Sequence, residues 1–331
     1  MRRHQPRALA ASAALLTLLT VLVTGAAPAA AAPVRGPYVI DPAGPAADAV
    51  FPEGVATDRH QHFYVGSTTD GTIYRGSLRG STATPFLPGG VDGRTSAIGM
   101  KVFRGRLYVA GGATGKVFVY DLSTKALVGS FAVPAGGGTF LNDIAIGPDG
   151  SAYVTDSVRP MLYRIAPDGY ATSGVATLQV FRDFTGTVLQ YQPGFNVNGI
   201  VVTRNNRWIV LTQSNTGLLF RVAVDGGAVS SIDLGGATVS GDGLVLRGRI
   251  LYAIERQGSI GYVVTLRLSG QLITGRVLSR TTDPTFDDPT TAAIVRGRML
   301  VVNSQFGVQA TGQTPDPFTV SSIKVPRPYR S

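Results

Sequence analysis

The stretch Asn142-Asp143-Ile144-Ala145-Ile146-Gly147-Pro148-Asp149-Gly150-Ser151-Ala152-Tyr153-Val154-Thr155-Asp156 reads as a polar head, an apolar strand, a tight turn and a second apolar strand ending in a carboxylate. Val, Ile and Tyr fit a pleated backbone, whereas Pro, Asp and Gly supply the angles of a hairpin turn. Working outward, the same pattern recurs in Pro52-Glu53-Gly54-Val55-Ala56 with Phe63-Tyr64-Val65, and in Ile98-Gly99-Met100-Lys101-Val102 with Leu107-Tyr108-Val109. It returns in Asn198-Gly199-Ile200-Val201-Val202 with Trp208-Ile209-Val210, in Asp242-Gly243-Leu244-Val245-Leu246 with Leu251-Tyr252-Ala253, and in Thr291-Ala292-Ala293-Ile294-Val295 with Leu300-Val301-Val302. From Glu53 to Phe63, Asn142 to Ala152 and Asn198 to Trp208 is ten residues; in the other three hairpins the offset is nine, and each turns through Arg-Gly-Arg, at 104–106, 247–249 and 296–298.

A hairpin repeated six times points to a radial architecture. The first strands are nearly all apolar, as expected of strands covered on both faces, while an outer strand such as Val264-Thr265-Leu266-Arg267-Leu268 alternates. Roughly 300 residues divided among six repeats leaves about 50 each, enough for four strands of ordinary length. The expected fold is all-β: a six-bladed β-propeller occupying residues 33–331 as a single domain. Closure is expected between a C-terminal strand, Phe318 to Val325, and an early strand, Pro37 to Ile40. A β-sandwich or a pair of β-domains gives no reason for the repeat.

Composition agrees. The 331 residues include 42 Gly and 20 Pro, and 15% are charged, against about 25% in an average chain. With no Cys there is no disulfide framework, thiolate metal site or cysteine nucleophile, and three His leave little room for imidazole chemistry. Residues 1–32 carry a basic leader (Arg2, Arg3, Arg7), an apolar run from Ala8 to Val23 and small residues from Ala26 to Ala32. This is the pattern of a secretory signal peptide cut near Ala31 or Ala32, and the run is shorter than the roughly 20 residues of a membrane span. A secreted, extracellular protein with no membrane span after cleavage is expected, its net charge falling from +10 to +7 with the loss of three Arg. The Arg residues are scattered through hairpins without a basic block, so no nucleic-acid partner is expected; a monomeric chain is also expected.

One position heads every inner strand: Glu53, Ile98, Asn142, Asn198, Asp242 and Thr291. In a propeller these side chains converge at one end of the central channel. Asn or Asp before Gly is also an ordinary turn former; what marks Glu53, Asn142, Asn198 and Asp242 is their coincidence at one repeat position. Two carboxylates at a narrow axis resist joint ionisation unless a cation lies between them. Two carboxylates and two amide oxygens suit Ca²⁺, and other hard divalent cations such as Mg²⁺ or Mn²⁺ less often. The returning strands bring Ser67, Asp156, Gln213, Glu255 and Asn303 toward the same end. Asp156 and Gln213 are the expected substrate-facing residues among these, with loop hydrogen bonding as their other reading. The loop carboxylates Asp287 and Asp288 are close enough in sequence to Thr291 to approach the pocket but read as solvated, and His60 and His62 fall in a turn at the far end.

Phe51-Pro52-Glu53-Gly54, Asn142 to Gly150 with Tyr153-Val154-Thr155-Asp156, Asn198-Gly199 and Gly241-Asp242-Gly243 resemble the successive blade motifs of the SMP-30/gluconolactonase/LRE-like family. The similarity runs from about residue 50 to 305 in short, degenerate motifs. The resemblance implies a divalent ion held by Glu53, Asn198 and Asp242, with Asn142 a fourth ligand or a substrate contact. It further implies a small-molecule partner, a lactone or related ester, hydrolysed with Asp242 as the general base. Gluconolactonases place an Arg shortly before the third-blade Asn-Asp, where this chain has Thr139, Phe140 and Leu141; the Phe-Leu pair favours a more apolar ligand, with Phe140 as a substrate contact, or else is core. The function expected is that of a secreted, calcium-dependent lactonase or esterase. The alternative is a non-catalytic extracellular binding propeller whose ion braces the axis, since fold does not decide function.

Overall fold

All six repeated hairpins form antiparallel strand pairs in the computed structural model, which describes residues 1, 36–41, 48–169 and 174–328. Apart from Met1, the leader at residues 1–32 lies outside the described residues. The first strands of the hairpins are Pro52–Thr57, Met100–Phe103, Leu141–Ile146, Val197–Val202, Gly241–Arg247 and Pro289–Val295. Each packs against the next in chain order, and Pro289–Val295 packs back against Pro52–Thr57. Further antiparallel strands extend each unit outward. Among the described residues the strands make five sheets: one of eight strands, one of five and three of four. The protein is all-β and propeller-like, with one short α-helix, Phe306–Thr311, among the described residues.

The eight-stranded sheet arises where the chain ends meet. Tyr38–Ile40 pairs antiparallel with Thr319–Lys324, with Tyr38 opposite Val320, as expected from the sequence. It also pairs parallel with Thr82–Leu87, the outer strand of the first unit, which joins two units into one sheet.

The apolar character of the inner strands follows from what each face meets. Ile144 joins a buried cluster with Tyr108, Val119 and Val154, while its neighbour Ala145 joins another with Ile200, Leu211 and Phe220. Successive residues thus face adjacent units, and both faces exclude water.

Polar residues at the strand heads are turned by a break in register. Five of the hairpins skip two residues there: Glu53-Gly54, Asn142-Asp143, Asn198-Gly199, Asp242-Gly243 and Thr290-Thr291. Such bulges re-aim a side chain. The alignment also corrects the sixth head, which is Thr290 and not Thr291: Ala292 lies opposite Val301 just as Leu244 lies opposite Ala253. Met299 and Leu300 are both apolar, so spacing alone could not separate the two registers.

The glycine after the head is required by its neighbour. A Cβ on Gly199 would sit 2.2 Å from the Asp242 carbonyl oxygen, and one on Gly54 would sit 1.9 Å from that of Ile98. These are backbone atoms with no rotamer to escape into. Gly199→Ala is expected to cost about 3 kcal/mol in urea unfolding. Gly137→Ala, where a Cβ meets nothing within 4 Å, should stay within about 0.5 kcal/mol of the parent.

Candidate functional site

The bulged heads carry an unusual set of oxygens. Glu53 and Asn142 are buried, at 7% and 5% exposure, and Asn198 and Asp242 are half-buried. Glu53 Oε2, Asn142 Oδ1, Asn198 Oδ1 and Asp242 Oδ1 are all buried without a hydrogen-bond partner. Buried polar atoms are nearly always partnered, and leaving one unsatisfied costs about 1–3 kcal/mol. Four such acceptors, one from each of four equivalent positions, match the donor set of a hard divalent cation. No three His, Cys, Asp or Glu side chains gather as a metal-binding group among the described residues; it is the two amides that complete this set.

Electrostatics follow from the crowding. Burial raises the Glu53 carboxyl well above the usual carboxylate range, the Asp242 and Asp143 charges add to this, and Lys101 opposes it. Asp242 is pushed up to about 7, chiefly by burial and then by Asp143, while a hydrogen bond from Asn198 acts the other way. The amide of Asn142 is fixed in place: its Nδ2 donates to Ser157 Oγ at 2.9 Å, and that hydroxyl donates to the Val197 carbonyl at 2.8 Å. The free Asn142 Oδ1 therefore needs no reorganisation to serve as an acceptor.

Two residues of the site, Asp143 and Arg256, carried no role in the sequence, and a third, Asp288, comes from a loop read as solvated. Asp143 occupies the position that Gly54, Gly99, Gly199 and Gly243 hold in other units, and its carboxylate accepts the Ile144 N–H at 2.8 Å and faces Lys101 Nζ at 3.5 Å. Its signal was visible as a charged residue where four of the other five units have glycine. Arg256 and Asp288 form an ion pair of 2.7 Å beside a cavity of about 220 Å³ that is also lined by Asn198, Asp242, Thr290 and Phe306. Asp288 is not the solvated loop carboxylate expected: its side chain is 13% exposed and also accepts the Gly307 N–H at 2.7 Å. No local pattern links these two residues, which come from adjacent units.

The expected substrate-facing residues divide. Phe140 is half-buried and meets Phe195 edge-on, with ring centroids 4.8 Å apart, and Phe195 is 52% exposed. Asp156 is fully buried. Its Oδ1 accepts the N–H groups of Phe140, Val158 and Arg159 at 2.9–3.0 Å, and its Oδ2 accepts the Thr139 hydroxyl. Gln213, 1% exposed, donates to the Gln190 carbonyl at 2.8 Å and Asn196 Oδ1 at 2.9 Å and accepts the Thr216 hydroxyl. In register these two lie opposite Leu141 and Val197, one step outside the bulge. There they organise the adjoining loops, and Asp156 holds the segment that carries Phe140.

Neither a protein-family profile nor any curated protein matches the sequence. Solved structures match the fold. The allergen Mala s 1 of Malassezia sympodialis superposes with a TM-score of 0.61 at 16% identity, covering 82% of this chain and 93% of that one. A calcium-binding protein, regucalcin from Agrobacterium tumefaciens, gives 0.60 at 14% identity, over 88% and 96% of the two chains. A gluconolactonase candidate gives 0.56 at 13%, over 85% and 90%. Structural neighbours therefore include proteins of the kind the blade motifs resemble. At these identities the likeness is one of fold.

Proposed function

We propose that the chain is a six-bladed β-propeller that hydrolyses lactones or related esters, using a divalent cation held by Glu53, Asn142, Asn198 and Asp242. The observation that carries this proposal is the set of four unpartnered oxygens at one repeat position. The ring of inner strands supports the blade number, with the eight-stranded sheet counted as two blades joined by Tyr38–Ile40. An all-oxygen ligand set favours calcium. All four ligands come from one chain, so a monomer suffices. Read as a secretory leader, residues 1–32 would place the protein outside the cell; no helix among the described residues is long and apolar enough to cross a membrane.

When bound, the cation would supply Lewis-acid polarisation of a carbonyl. The remaining work falls to the chain. Asp242 borders the 220 Å³ cavity and is placed to take a proton from water, its carboxyl kept ionised by the cation it would help to hold. Phe140 and Phe195 form an apolar wall for the part of the substrate distant from the ester, positioned by the Asp156 carboxylate.

A panel of alkyl lactones and aryl esters, assayed on the purified protein with Ca²⁺ and with chelator, tests the proposal. Chelator-sensitive turnover is expected, and Phe140→Ala should raise KM more for long alkyl chains than for short ones. Cation binding without turnover across the panel would replace hydrolysis with a binding role for the same site.

A further inference from the structure

The arginines that are scattered in sequence are gathered by the fold. The turns between the first and second strands of the six hairpins hold nine Arg: the three Arg-Gly-Arg turns together with Arg59, Arg204 and Arg207. They hold two carboxylates, Asp58 and Asp149, and both are engaged locally. Asp58 accepts the N–H groups of His60 and His62 and the Tyr64 hydroxyl, while Asp149 accepts the N–H and hydroxyl of Ser151. All of the nine except Arg106 and Arg298 are exposed. None of those exposed arginines takes part in an ion pair among the described residues.

These turns share one end of the molecule, opposite the strand heads. A cavity of about 740 Å³ is lined by Arg59, His60 and His62 from the first unit and by Arg104 from the second, with Arg75 beside them; its two carboxylates, Asp58 and Asp121, are held by local hydrogen bonds, Asp121 accepting the N–H groups of Ser123 and Thr124. A second, of about 460 Å³, brings together Phe103, Pro148, Arg204 and Arg247 from four successive units. We propose that this arginine-ringed face binds an acidic polysaccharide, a flexible chain bearing sulfate or carboxylate groups.

The partner's chemistry follows from what the ring offers. Guanidinium forks pair bidentately with such oxyanions, and a face with a surplus of positive charge concentrates a polyanion near it. Recognition of single-stranded nucleic acid uses open aromatic platforms, but the Phe103 ring is covered by the Arg104 guanidinium, 5.1 Å from its centroid. Membrane insertion uses exposed apolar side chains, and none of the large exposed apolar residues lies in these turns. This inference is independent of the hydrolase proposal.

Dextran sulfate is the probe, titrated into the intact protein at several salt concentrations. Binding should weaken steeply with salt. Arg104→Glu and Arg247→Glu should each lower the slope of log affinity against log salt by about 1, and together should weaken binding about tenfold at low salt. Lys116→Glu makes the same charge reversal at the opposite end of its unit, since Asp121, not Lys116, pairs with Arg106; it should leave binding intact. Unchanged thermal unfolding would show that the turn variants fold. Three results would overturn the proposal: no binding at low salt, equal weakening by Lys116→Glu, or tighter binding of oligothymidylate or anionic vesicles than of dextran sulfate.

Discussion

Asp242→Asn is expected to lower turnover of any lactone or ester substrate by about a thousandfold, within the range for loss of a general base, while the protein remains folded. The substitution preserves shape and an Oδ1 acceptor, so the four-oxygen arrangement survives with one negative charge fewer. Asp242 takes part in a hydrogen bond with Asn198 and borders the cavity that also holds the Arg256–Asp288 pair. Loss of charge should also weaken cation binding, so the assay is run at saturating Ca²⁺, where only the proton-transfer role remains exposed. Parent-like turnover in the folded variant would remove Asp242 from the chemistry.

The second large effect concerns pH. In the cation-free protein the Asp242 carboxyl stands at about 7 and that of Glu53 is also raised, whereas an unfolded chain holds both near 4. The folded state therefore binds more protons between these values. Their favourable contribution is fully present below about pH 4 and is lost as pH rises through about 7. Thermal unfolding with chelator should accordingly show stability falling from pH 5 to pH 8. Ca²⁺ should reverse the fall, because it favours the ionised carboxylates and displaces protons; at 100 times its Kd it adds about 2.7 kcal/mol. The interval avoids Asp58, Asp70 and Asp149, whose lowered values confine their titration to more acidic conditions. Chelator curves that coincide with Ca²⁺ curves across the whole interval would contradict this.

Much of this was legible in the residues because a repeat prints its geometry many times over. The head position could be found by stacking Glu53, Asn142, Asn198 and Asp242, since each precedes an apolar strand at nearly constant offset. At Thr291 two adjacent apolar residues fit both registers, and the head lies one residue earlier, at Thr290. Strand direction places Asp156 and Gln213 at the pocket end but does not reveal which loop partners claim their side chains. Contacts between units were out of reach. The Arg256–Asp288 pair joins adjacent units, and the arginine ring exists only once the hairpin turns share a face.

Calorimetric titration of Ca²⁺ into the cation-free protein at pH 7.5 decides whether Glu53, Asn142, Asn198 and Asp242 hold a cation. The predicted result is one ion per chain, with proton release visible as a dependence of the measured heat on buffer ionisation enthalpy, and loss of binding in Glu53→Gln/Asp242→Asn. No binding by the folded parent protein, or undiminished binding by the double variant, would contradict the assignment of these four oxygens to a cation.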